Sequence, residues 1–472
     1  MSRPQVSLEG KQALVLGLGV HGGGAGVARF LVEHGARVTV TDLRPPEKLA
    51  EGLESLRGLP IEYVLGEHQA RDVLAADLIV RNPAVPRESP WLRLAREHEI
   101  PVLMEMNLFW AFCPAPITAI TGSKGKSTTT AWLGHVLRLS RPDTVVAGNL
   151  RVSALDALPL IRSDTPVVLE LSSWQLESFA ETRIGPHVSC VTNLAPDHLD
   201  RYRDMAEYAE AKREIYRYQR GEDVAVFNHD DPLVRRFASD CPAQVRWFGT
   251  EDHAGMGGVL TARDLVLRST ETVQPIIRLE DLALAGRHNA LNAAAVATLA
   301  AANNIPPEQI AEGLRTFPGL PDRMEFVAEI NGVRYINDTT STVPASTIAA
   351  LSGVDGRVVL IAGGASKRVP FGELAELICH RVSRLVLLEG SATPELQTEV
   401  YKRCPTLETS LHHDLQSAVE VAHGTARPGD TVLFSPACAS FGMFDNEFQR
   451  GELFRQAVRR LRGSGQEARD GG

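Results

Sequence analysis

The stretch from Ile117 to Thr128 joins a short apolar strand to a glycine-containing loop, which a helical sequence then follows. The loop reads Gly122-Ser123-Lys124-Gly125-Lys126-Ser127. Glycines let backbone N–H groups turn towards phosphate oxygens, and a helix N-terminus adds partial positive charge. The lysine at 126 would reach the terminal phosphates, and a hydroxyl of Ser127 or Thr128 would contact Mg²⁺. The segment therefore predicts a phosphate loop on an α/β scaffold rather than a plain surface turn.

The spacing of the glycines and the lysine in this loop favours one class of nucleotide-binding enzyme over others. It is G-x-x-G-K-S, which is shorter than the common G-x-x-x-x-G-K-S/T pattern. The departure favours a subset of nucleotide-dependent ligases.

A chain of 472 residues exceeds one hydrophobic core and predicts two to four domains. Apolar strand-like runs alternate with helical stretches along most of its length, which is typical of mostly parallel sheets covered on both faces. The predicted fold class is α/β with three domains. The expected boundaries are 1–105, 106–319 and 320–472.

A second glycine motif lies near the N-terminus. Gly17-Leu18-Gly19-Val20-His21-Gly22 matches G-x-G-x-x-G, and Asp42 follows the last glycine by 20 residues. By itself the motif would suggest an NAD-dependent dehydrogenase. A dehydrogenase would not need a separate phosphate loop about 100 residues later, so we interpret it as a second nucleotide site, for a nucleotide-linked substrate. A plain tight turn is the alternative.

Polar residues follow two further strand-like runs of the central region. Glu170 ends Val167-Val168-Leu169-Glu170, and a carboxylate at a strand end beside a phosphate loop suits Mg²⁺. His198 comes just after the run at 188–192. It could bind a second metal or orient a carboxylate, and a hydrogen-bonded loop histidine is the alternative.

Composition excludes several classes of protein. The net charge of -9 argues against a general affinity for nucleic acid or anionic membranes. No apolar run approaches the roughly 20 residues that span a bilayer, and the N-terminus lacks the apolar core of a signal peptide. The six cysteines form no C-x-x-C pair, so neither a zinc site nor a disulfide framework is predicted. A reduced, cytoplasmic compartment is expected.

Several segments together resemble the Mur ligases. They are the phosphate loop, Glu170-Leu171-Ser172-Ser173, residues 193–200, Gly286-Arg287-His288-Asn289-Ala290-Leu291-Asn292 and Ser435-Pro436-Ala437-Cys438-Ala439-Ser440. The resemblance covers the chain from the first glycine motif to about Gly451. It implies a Rossmann-like UDP-binding domain, a central ATP-binding domain with a parallel sheet, and a Rossmann-like C-terminal domain that binds an amino acid.

The implied reaction is one step of cytoplasmic peptidoglycan synthesis. ATP would phosphorylate the carboxylate of UDP-N-acetylmuramoyl-L-alanine, and the amine of D-glutamate would attack the acyl phosphate. ATP, two Mg²⁺ ions and these small-molecule substrates are the implied ligands. Neither nucleic acid nor membrane insertion is expected, and the chain is expected to be a monomer.

The resemblance also implies roles for individual residues. The catalytic set would be Lys126, His198, Lys212 and Glu170. Metal ligands would be Ser127, Glu170, His198 and Lys212, with Lys212 carbamylated. ATP would contact Gly122, Ser123, Lys124, Gly125, Lys126, Ser127, Thr128, Asn289, Asn292, Arg323 and Asp338. The UDP-linked substrate and the amino acid would contact Val20, His21, Asp42, Arg44, Asn149, Ser172, Thr342, Lys367 and Ser440.

The sequence departs from the usual family pattern at five positions, which are Lys124, Asp322, Thr340, Asp445 and Glu447. Two lost cations and one gained carboxylate would weaken binding of an acidic amino acid. The alternatives are a related ligase with another amino-acid specificity, a folylpolyglutamate-type enzyme, and a nucleotide-binding regulatory paralogue. Lys126, Glu170, His198 and Lys212 argue against the paralogue. The first glycine domain argues against the folate relatives.

Overall fold

Runs of valine, isoleucine and leucine form the inner strands of each sheet, because these side chains are buried on both sheet faces. The computed structural model describes residues 7–19, 22–149, 153–197, 201–250, 255–367 and 369–467, with side chains described as far as residue 462. Val20, His21 and His198 therefore lie outside the described residues.

The first sheet is parallel, with the strand order β3-β2-β1-β4-β5. Its strands are β1 (Gln12–Leu16), β2 (Arg37–Asp42), β3 (Ile61–Leu65), β4 (Leu78–Arg81) and β5 (Val102–Leu103). The accompanying helices are α1 (Gly23–Glu33), α2 (Ala50–Ser55), α3 (Ala70–Leu74), α4 (Pro90–Glu97) and α5 (Glu105–Phe112).

The second sheet has the order β14-β13-β12-β11-β10-β9-β6-β8-β7. Its pairs are parallel except for β12 with β13 and β13 with β14. The strands are β6 (Ile117–Thr121), β7 (Val145–Gly148), β8 (Val167–Glu170), β9 (Val188–Val191), β10 (Val224–Asn228), β11 (Gln244–Thr250), β12 (Gly257–Leu260), β13 (Asp264–Arg268) and β14 (Val273–Arg278). The helices are α6 (Lys126–Arg138), α7 (Ser173–Leu176), α8 (Phe179–Thr182), α9 (Met205–Arg217), α10 (Pro232–Arg235), α11 (Arg287–Ala302) and α12 (Pro307–Thr316).

The third sheet has the order β15-β16-β20-β17-β18-β19, and only β15 runs antiparallel to its neighbour. Its strands are β15 (Glu325–Ile330), β16 (Val333–Asn337), β17 (Val358–Gly363), β18 (Val382–Leu388), β19 (Thr409–His412) and β20 (Thr431–Phe434). The helices are α13 (Pro344–Ser352), α14 (Gly372–Arg381), α15 (Thr393–Arg403), α16 (Leu415–Thr425) and α17 (Glu447–Glu467).

The predicted α/β class with three sheet-based domains is confirmed. The chain separates into two compact units, Met1–Phe317 with the first two sheets and Pro318–Gly472 with the third. Among the described residues, no helix combines the length and the apolar character needed to cross a bilayer.

Packing around Trp132 fixes helix α6, which follows the phosphate loop. The indole is fully buried, and its Nε1 donates to the carbonyl oxygen of Gly313 at 3.0 Å. Its ring stacks on Phe317 with the centroids 5.1 Å apart. A large aromatic ring with its one donor satisfied gives this helix a rigid anchor.

The sequence predicts no disulfide framework, yet the structure contains one disulfide. Cys379, in α14, and Cys404, directly after α15, are bonded to each other. The two residues are 25 positions apart, and no short motif marks their pairing in the sequence. The adjacent packing of the two helices brings them together. Cys113, Cys190, Cys241 and Cys438 are not disulfide-bonded.

Reducing this disulfide is expected to lower the free energy of unfolding of the C-terminal unit by about 3 kcal/mol, because the bond restricts the unfolded chain. Urea unfolding with and without reductant measures the effect. The double variant Cys379→Ser/Cys404→Ser should not respond to reductant, whereas Cys241→Ser should respond like the wild type. Equal unfolding midpoints for the wild type in both conditions would contradict the bond.

Candidate active site

The phosphate loop lies between β6 and α6, as the sequence predicts. Gly122 and Gly125 have φ angles of 150° and 81°, which side chains other than glycine rarely adopt. A Cβ atom on Gly122 would lie 1.9 Å from Oγ1 of Thr192, and one on Gly125 would lie 2.5 Å from Oδ1 of Asn292. Both glycines are therefore required by space as well as by backbone conformation.

Thr192 and Asn193, directly after β9, form hydrogen bonds that support the phosphate loop. The backbone N–H groups of Ser123 and Lys124 donate to the carbonyl and side-chain oxygens of Asn193, at 2.9 and 2.8 Å. Oγ1 of Thr192 donates to the carbonyl oxygen of Lys124 at 2.6 Å. These bonds hold the loop in one shape before any ligand arrives.

Two lysine side chains converge on one loop carbonyl. Nζ of Lys126 donates to the oxygen of Gly122 at 2.7 Å, and Nζ of Lys212 donates to the same oxygen at 2.9 Å. Lys212 is 1% exposed and also donates to Oγ1 of Thr121 at 3.3 Å. The pKa of Lys212 lies well below its ordinary value, mainly because the amine is buried and secondly because Lys126 repels its charged form. The Lys126 ammonium group at this loop suits an anionic ligand.

Glu170 ends β8, beside the strand that leads into the phosphate loop. Its Oε1 accepts a bond from Nδ2 of Asn149 at 2.9 Å. Its Oε2 is buried without a hydrogen-bond partner among the described residues. A buried carboxylate oxygen left open at a strand end fits a Mg²⁺ ligand, because Mg²⁺ takes one or two carboxylates and fills its other positions with phosphate and water oxygens.

The rest of the predicted metal set is brought together only in part. Among the described residues, no cluster of three or more His, Cys, Asp or Glu side chains could hold a metal ion. Ser127 lies in the first turn of α6, and Ser172 caps the N-terminus of α7 through a bond with Gln175. Lys124 is exposed, with its Nζ 3.7 Å from Asp197.

Helix α11 brings both predicted asparagines to the phosphate-loop side of the sheet. Asn292 contacts the loop at Gly125, and its Nδ2 donates to Oδ1 of Asn289 at 3.4 Å. The start of the helix borders an open cavity of about 370 Å³. The cavity is lined by Thr250, Leu260, Thr261, Leu279, Leu282, Leu284, Gly286, Arg287 and Ala290. This mixture of apolar walls and a helix N-terminus suits part of a nucleotide.

Gly17, Gly19 and Gly22 of the first glycine motif lie between β1 and α1. Asp42 is 4% exposed, and its carboxylate accepts bonds from the backbone N–H groups of Gly19 and Arg44 at 3.0 and 2.9 Å. A Cβ atom on Gly17 would lie 3.0 Å from Cβ of Asn82, and one on Gly19 would lie 2.8 Å from its Nδ2. The motif therefore rests directly on the segment after β4, which the sequence analysis did not single out.

Glu105 joins the first domain to the central one. Its Oε1 accepts bonds from Oγ of Ser153 at 2.6 Å and from the backbone N–H of Ala154 at 2.8 Å. Its Oε2 lies 3.5 Å from where a Cβ atom on Gly23 would be. Burial raises the pKa of Glu105 to about 7, although both hydrogen bonds act in the opposite direction.

We expect the stability of the first unit to fall as pH rises through this range. The folded carboxyl keeps its proton up to about pH 7, whereas the unfolded one releases it near its ordinary pKa of 4.5. The folded state then binds more protons between these values, so rising pH favours unfolding by up to about 3 kcal/mol. Above the folded pKa the loss is constant.

Urea midpoints of the wild type and Glu105→Gln at about pH 5 and about pH 8 test this dependence. The glutamine variant, which stays neutral, should lack the loss. Glu51→Gln, an exposed change in the same domain, should behave like the wild type. Parallel pH profiles for the wild type and Glu105→Gln would exclude this role for Glu105.

The predicted residues of the C-terminal unit lie in segments next to the strands of its sheet. Asp338 is 2% exposed, and its Oδ2 accepts bonds from the hydroxyls of Ser341 and Ser435 at 2.6 and 2.7 Å. Burial raises its pKa. Nζ of Lys367 donates to Oγ1 of Thr342 at 2.8 Å. Ser440 is buried, while Arg323 is exposed.

The unusual Asp322 has its own partners within this unit. NH1 of Arg455 bonds both Oδ1 of Asp322 and Oε2 of Glu325 at 2.9 Å. The carbonyl oxygen of Asp322 accepts bonds from the backbone N–H and the hydroxyl of Thr340. Two of the departures from the family pattern are therefore hydrogen-bonded to each other, and Arg455 pairs with the Asp322 carboxylate.

Sequence reasoning also missed a fully buried arginine. Arg450 donates to Oγ1 and to the carbonyl oxygen of Thr339 at 2.9 and 2.8 Å, and to the carbonyl oxygen of Cys438 at 3.2 Å. Burial lowers its pKa to about 10. Arg450 lies near the start of α17 among mostly polar residues, so the sequence pattern did not indicate that its side chain is buried. The carbonyl oxygen of Glu447 accepts a bond from the hydroxyl of Thr339 at 2.8 Å.

Comparison with protein families assigns each part of the chain. Residues 11–104 match the Mur ligase MurD-like N-terminal domain, and residues 120–300 match the Mur ligase middle domain. Residues 322–438 match the Mur ligase glutamate ligase domain. The three matches follow the three sheets.

Similar proteins span the whole length. A UDP-N-acetylmuramoylalanine--D-glutamate ligase of Roseiflexus sp. (strain RS-1) is 48% identical over 96% of this chain and 99% of its own. The protein of the same name from Caldanaerobacter subterraneus subsp. tengcongensis is 36% identical over 97% of this chain and 100% of its own.

Solved structures agree in fold. The UDP-N-acetylmuramate-alanine ligase MurC of Thermotoga maritima has a TM-score of 0.59 at 21% identity and covers 96% of this chain and 100% of its own. A MurF structure from Acinetobacter baumannii has a TM-score of 0.57 at 18% identity, over 95% and 90% of the two chains. With the three domain matches and the identity to full-length relatives, this establishes that the chain belongs to the Mur ligase family.

Proposed function

We propose that this chain uses ATP to join D-glutamate to UDP-N-acetylmuramoyl-L-alanine in peptidoglycan synthesis. The observation that carries the proposal is the placement of the Lys126 ammonium group at the phosphate loop, with the buried Nζ of Lys212 on the same carbonyl oxygen of Gly122. Beside them Glu170 keeps one buried carboxylate oxygen open. The relatives at 48% and 36% identity bear the name of this ligase, and the family is ATP-dependent and requires Mg²⁺.

The reaction needs an activated carboxylate, because a free carboxylate is a poor electrophile. An oxygen of the substrate carboxylate takes the γ-phosphoryl group of ATP, and ADP leaves. The amine of D-glutamate then attacks the carbonyl carbon of the acyl phosphate, the bond to phosphate breaks, and an amide remains. The carboxylate and the triphosphate repel each other, so positive charge has to hold them together.

The phosphate loop supplies part of that charge. Its backbone N–H groups and the start of α6 would bind phosphate oxygens. Nζ of Lys126 would leave the carbonyl oxygens of Gly122 and Ser123 and bind the terminal phosphates. Asn292, in contact with Gly125, and Asn289 are placed for the adenosine part. Arg323 and Asp338 are the proposed ATP contacts of the C-terminal domain.

Two Mg²⁺ ions are proposed, with Glu170, Ser127, His198 and Lys212 as ligands. Bound Mg²⁺ would neutralise the developing phosphate charge. Lys212 serves as a ligand after carbamylation, because a carbamate replaces the ammonium by anionic oxygens. The lowered pKa of Lys212 supports this step, since only the neutral amine adds to CO₂.

The first glycine motif is the proposed UDP site, with Val20, His21, Asp42 and Arg44 at the nucleotide. Asn149 and Ser172 are proposed to meet the muramoyl end. Asn149 is bonded to Glu170, and Ser172 begins the helix two residues later, so both lie beside the proposed metal site. This places the recognition of the nucleotide at a distance from the reacting carboxylate.

D-Glutamate is proposed to contact Thr342, Lys367 and Ser440. The bond between Lys367 and the hydroxyl of Thr342 supports their assignment to one pocket. Lys367 would supply the counter-charge for the acidic amino acid. We also propose that the enzyme is cytoplasmic, is a monomer and acts on small molecules.

A phosphate-release assay with ATP, Mg²⁺, UDP-N-acetylmuramoyl-L-alanine and a panel of amino acids tests the function. D-Glutamate should give the highest kcat/KM, with one phosphate released for each amide formed. A higher kcat/KM with another amino acid would reassign the specificity. Absence of release with every amino acid would reject the ligase assignment.

A further inference from the structure

A buried carboxylate surrounded by three arginines lies between the first and central domains. Glu177 directly follows α7, and its side chain is 1% exposed. NH2 of Arg81 lies 3.2 Å from its Oε2, NH2 of Arg201 lies 2.9 Å from the same oxygen, and Nε of Arg87 lies 3.4 Å from it. The hydroxyl of Tyr202 donates to Oε1 at 3.0 Å. We call these five residues the Glu177 cluster.

The Glu177 cluster is a network of several ion pairs on one carboxylate, and not a single ion pair. Arg81 is 7% exposed and Arg201 is 16% exposed, so the loss of the carboxylate would leave guanidinium groups facing each other away from water. Removing one partner of a buried, hydrogen-bonded charge group is strongly unfavourable. Arg87, by contrast, is 49% exposed, so its ion pair with Glu177 is partly open to solvent.

The arginines of the cluster also hold the chain that follows β4. NH1 of Arg81 donates to the carbonyl oxygen of Val85 at 2.9 Å, and NH1 of Arg201 donates to that of Pro83 at 3.0 Å. Arg87 lies in the same stretch and donates to the carbonyl oxygen of Glu177 at 3.1 Å. Residues 82–87 are therefore tied to the central domain directly at Pro83 and Arg87, and Val85 is linked to it only through Arg81.

This stretch is the support of the first glycine motif. Asn82 occupies the space where Gly17 and Gly19 lack a Cβ atom, and the Cγ2 atom of Val85 lies 3.5 Å from the Cβ position of Gly17. The backbone N–H of Asn82 donates to the carbonyl oxygen of Leu16, at the end of β1. A shift of residues 82–87 would therefore move the surface on which the glycine turn rests.

The other side of the cluster leads to the chemistry of the central domain. Helix α7 connects Glu177 to Ser172, and Glu170 lies two residues before that serine. One carboxylate thus fixes the distance between the glycine turn and the strand end that bears the open carboxylate oxygen. None of the cluster residues belongs to the proposed set of substrate or metal contacts.

We propose that Glu177 is a positioning residue for the UDP-linked substrate, a role that rests on the proposed function. It holds the glycine turn at a fixed place relative to Glu170, so that the nucleotide and the reacting carboxylate of one molecule reach both sites together. Interactions with a remote part of a substrate that are equal in ground and transition states affect KM rather than kcat. The phosphate loop has its own support at residues 192–195, so ATP binding does not depend on the cluster.

Steady-state kinetics of Glu177→Gln test the proposal. The variant should raise KM for UDP-N-acetylmuramoyl-L-alanine about tenfold or more, with KM for ATP and kcat changed by less than about threefold. Calorimetric titration with the UDP-linked substrate alone should show the same loss of affinity without turnover. Glu181→Gln, an exposed change four residues along the chain, is the matched control and should leave both KM values unchanged.

A second variant guards against misfolding of Glu177→Gln. Arg87→Gln leaves Arg81 and Arg201 on the carboxylate, and it should raise KM for the UDP-linked substrate about threefold without changing KM for ATP. Equal increases in both KM values, or a lower melting temperature with unchanged KM values, would overturn the positioning role. A wild type without ligase activity would instead overturn the proposed function.

Discussion

Replacing Lys126 by alanine is expected to lower kcat by about 10³-fold or more while the fold is retained. The side chain is half-buried, and its Nζ donates to the loop carbonyl oxygens of Gly122 and Ser123. Its loss removes the charge that the loop offers to a terminal phosphate. Phosphate release measures turnover, and circular dichroism checks the fold.

Lys124 provides the matched comparison, because it lies in the same loop and carries the same charge. Its side chain is exposed and pairs with Asp197 at 3.7 Å. Exposed ion pairs contribute little, so Lys124→Asn should lower kcat by less than about tenfold. Similar losses in both variants would mean that the total charge of the loop, rather than the position of Lys126, determines its action.

Replacing Lys212 by arginine is expected to lower kcat by about 10²-fold or more, and replacing it by alanine should have a similar effect. Arginine keeps a positive charge but cannot form a carbamate. Burial lowers the pKa of Lys212, which favours the neutral amine that addition to CO₂ requires. An enzyme that needed only a cation at this position would retain activity with arginine.

Labelling with ¹³C-bicarbonate gives an independent measurement. The wild type with Mg²⁺ should show a carbamate carbon signal by nuclear magnetic resonance, and Lys212→Arg should not. Activity of the wild type should also rise when bicarbonate is restored to a depleted sample. A wild type without the signal, yet fully active, would exclude the carbamate.

The phosphate loop was predictable because its function requires local features. A strand, two glycines, a lysine and a hydroxyl occur within a dozen residues, and each is dictated by backbone conformation or phosphate chemistry. The strands at 117–121, 167–170 and 358–363 were predictable for a similar reason, since buried parallel strands are continuous apolar runs.

Long-range pairings left no comparable signal. Glu177 and Arg81 are 96 residues apart, and Asp322 and Arg455 are 133 residues apart. Charged residues are usually solvated, so no local pattern indicated that these residues are buried with partners. The disulfide between Cys379 and Cys404 was missed because only the packing of α14 against α15 brings the two thiols together.

The bonds of Glu105 to Ser153 and Ala154 have a practical consequence for fragment work. Cutting the chain after residue 105 would separate a buried acid from both donors and expose the α1 surface at Gly26 that now meets Ser153. The first sheet expressed alone should therefore be a poor target for ligand screening. A fragment ending at Phe317 keeps the whole junction and is the smaller unit we would choose.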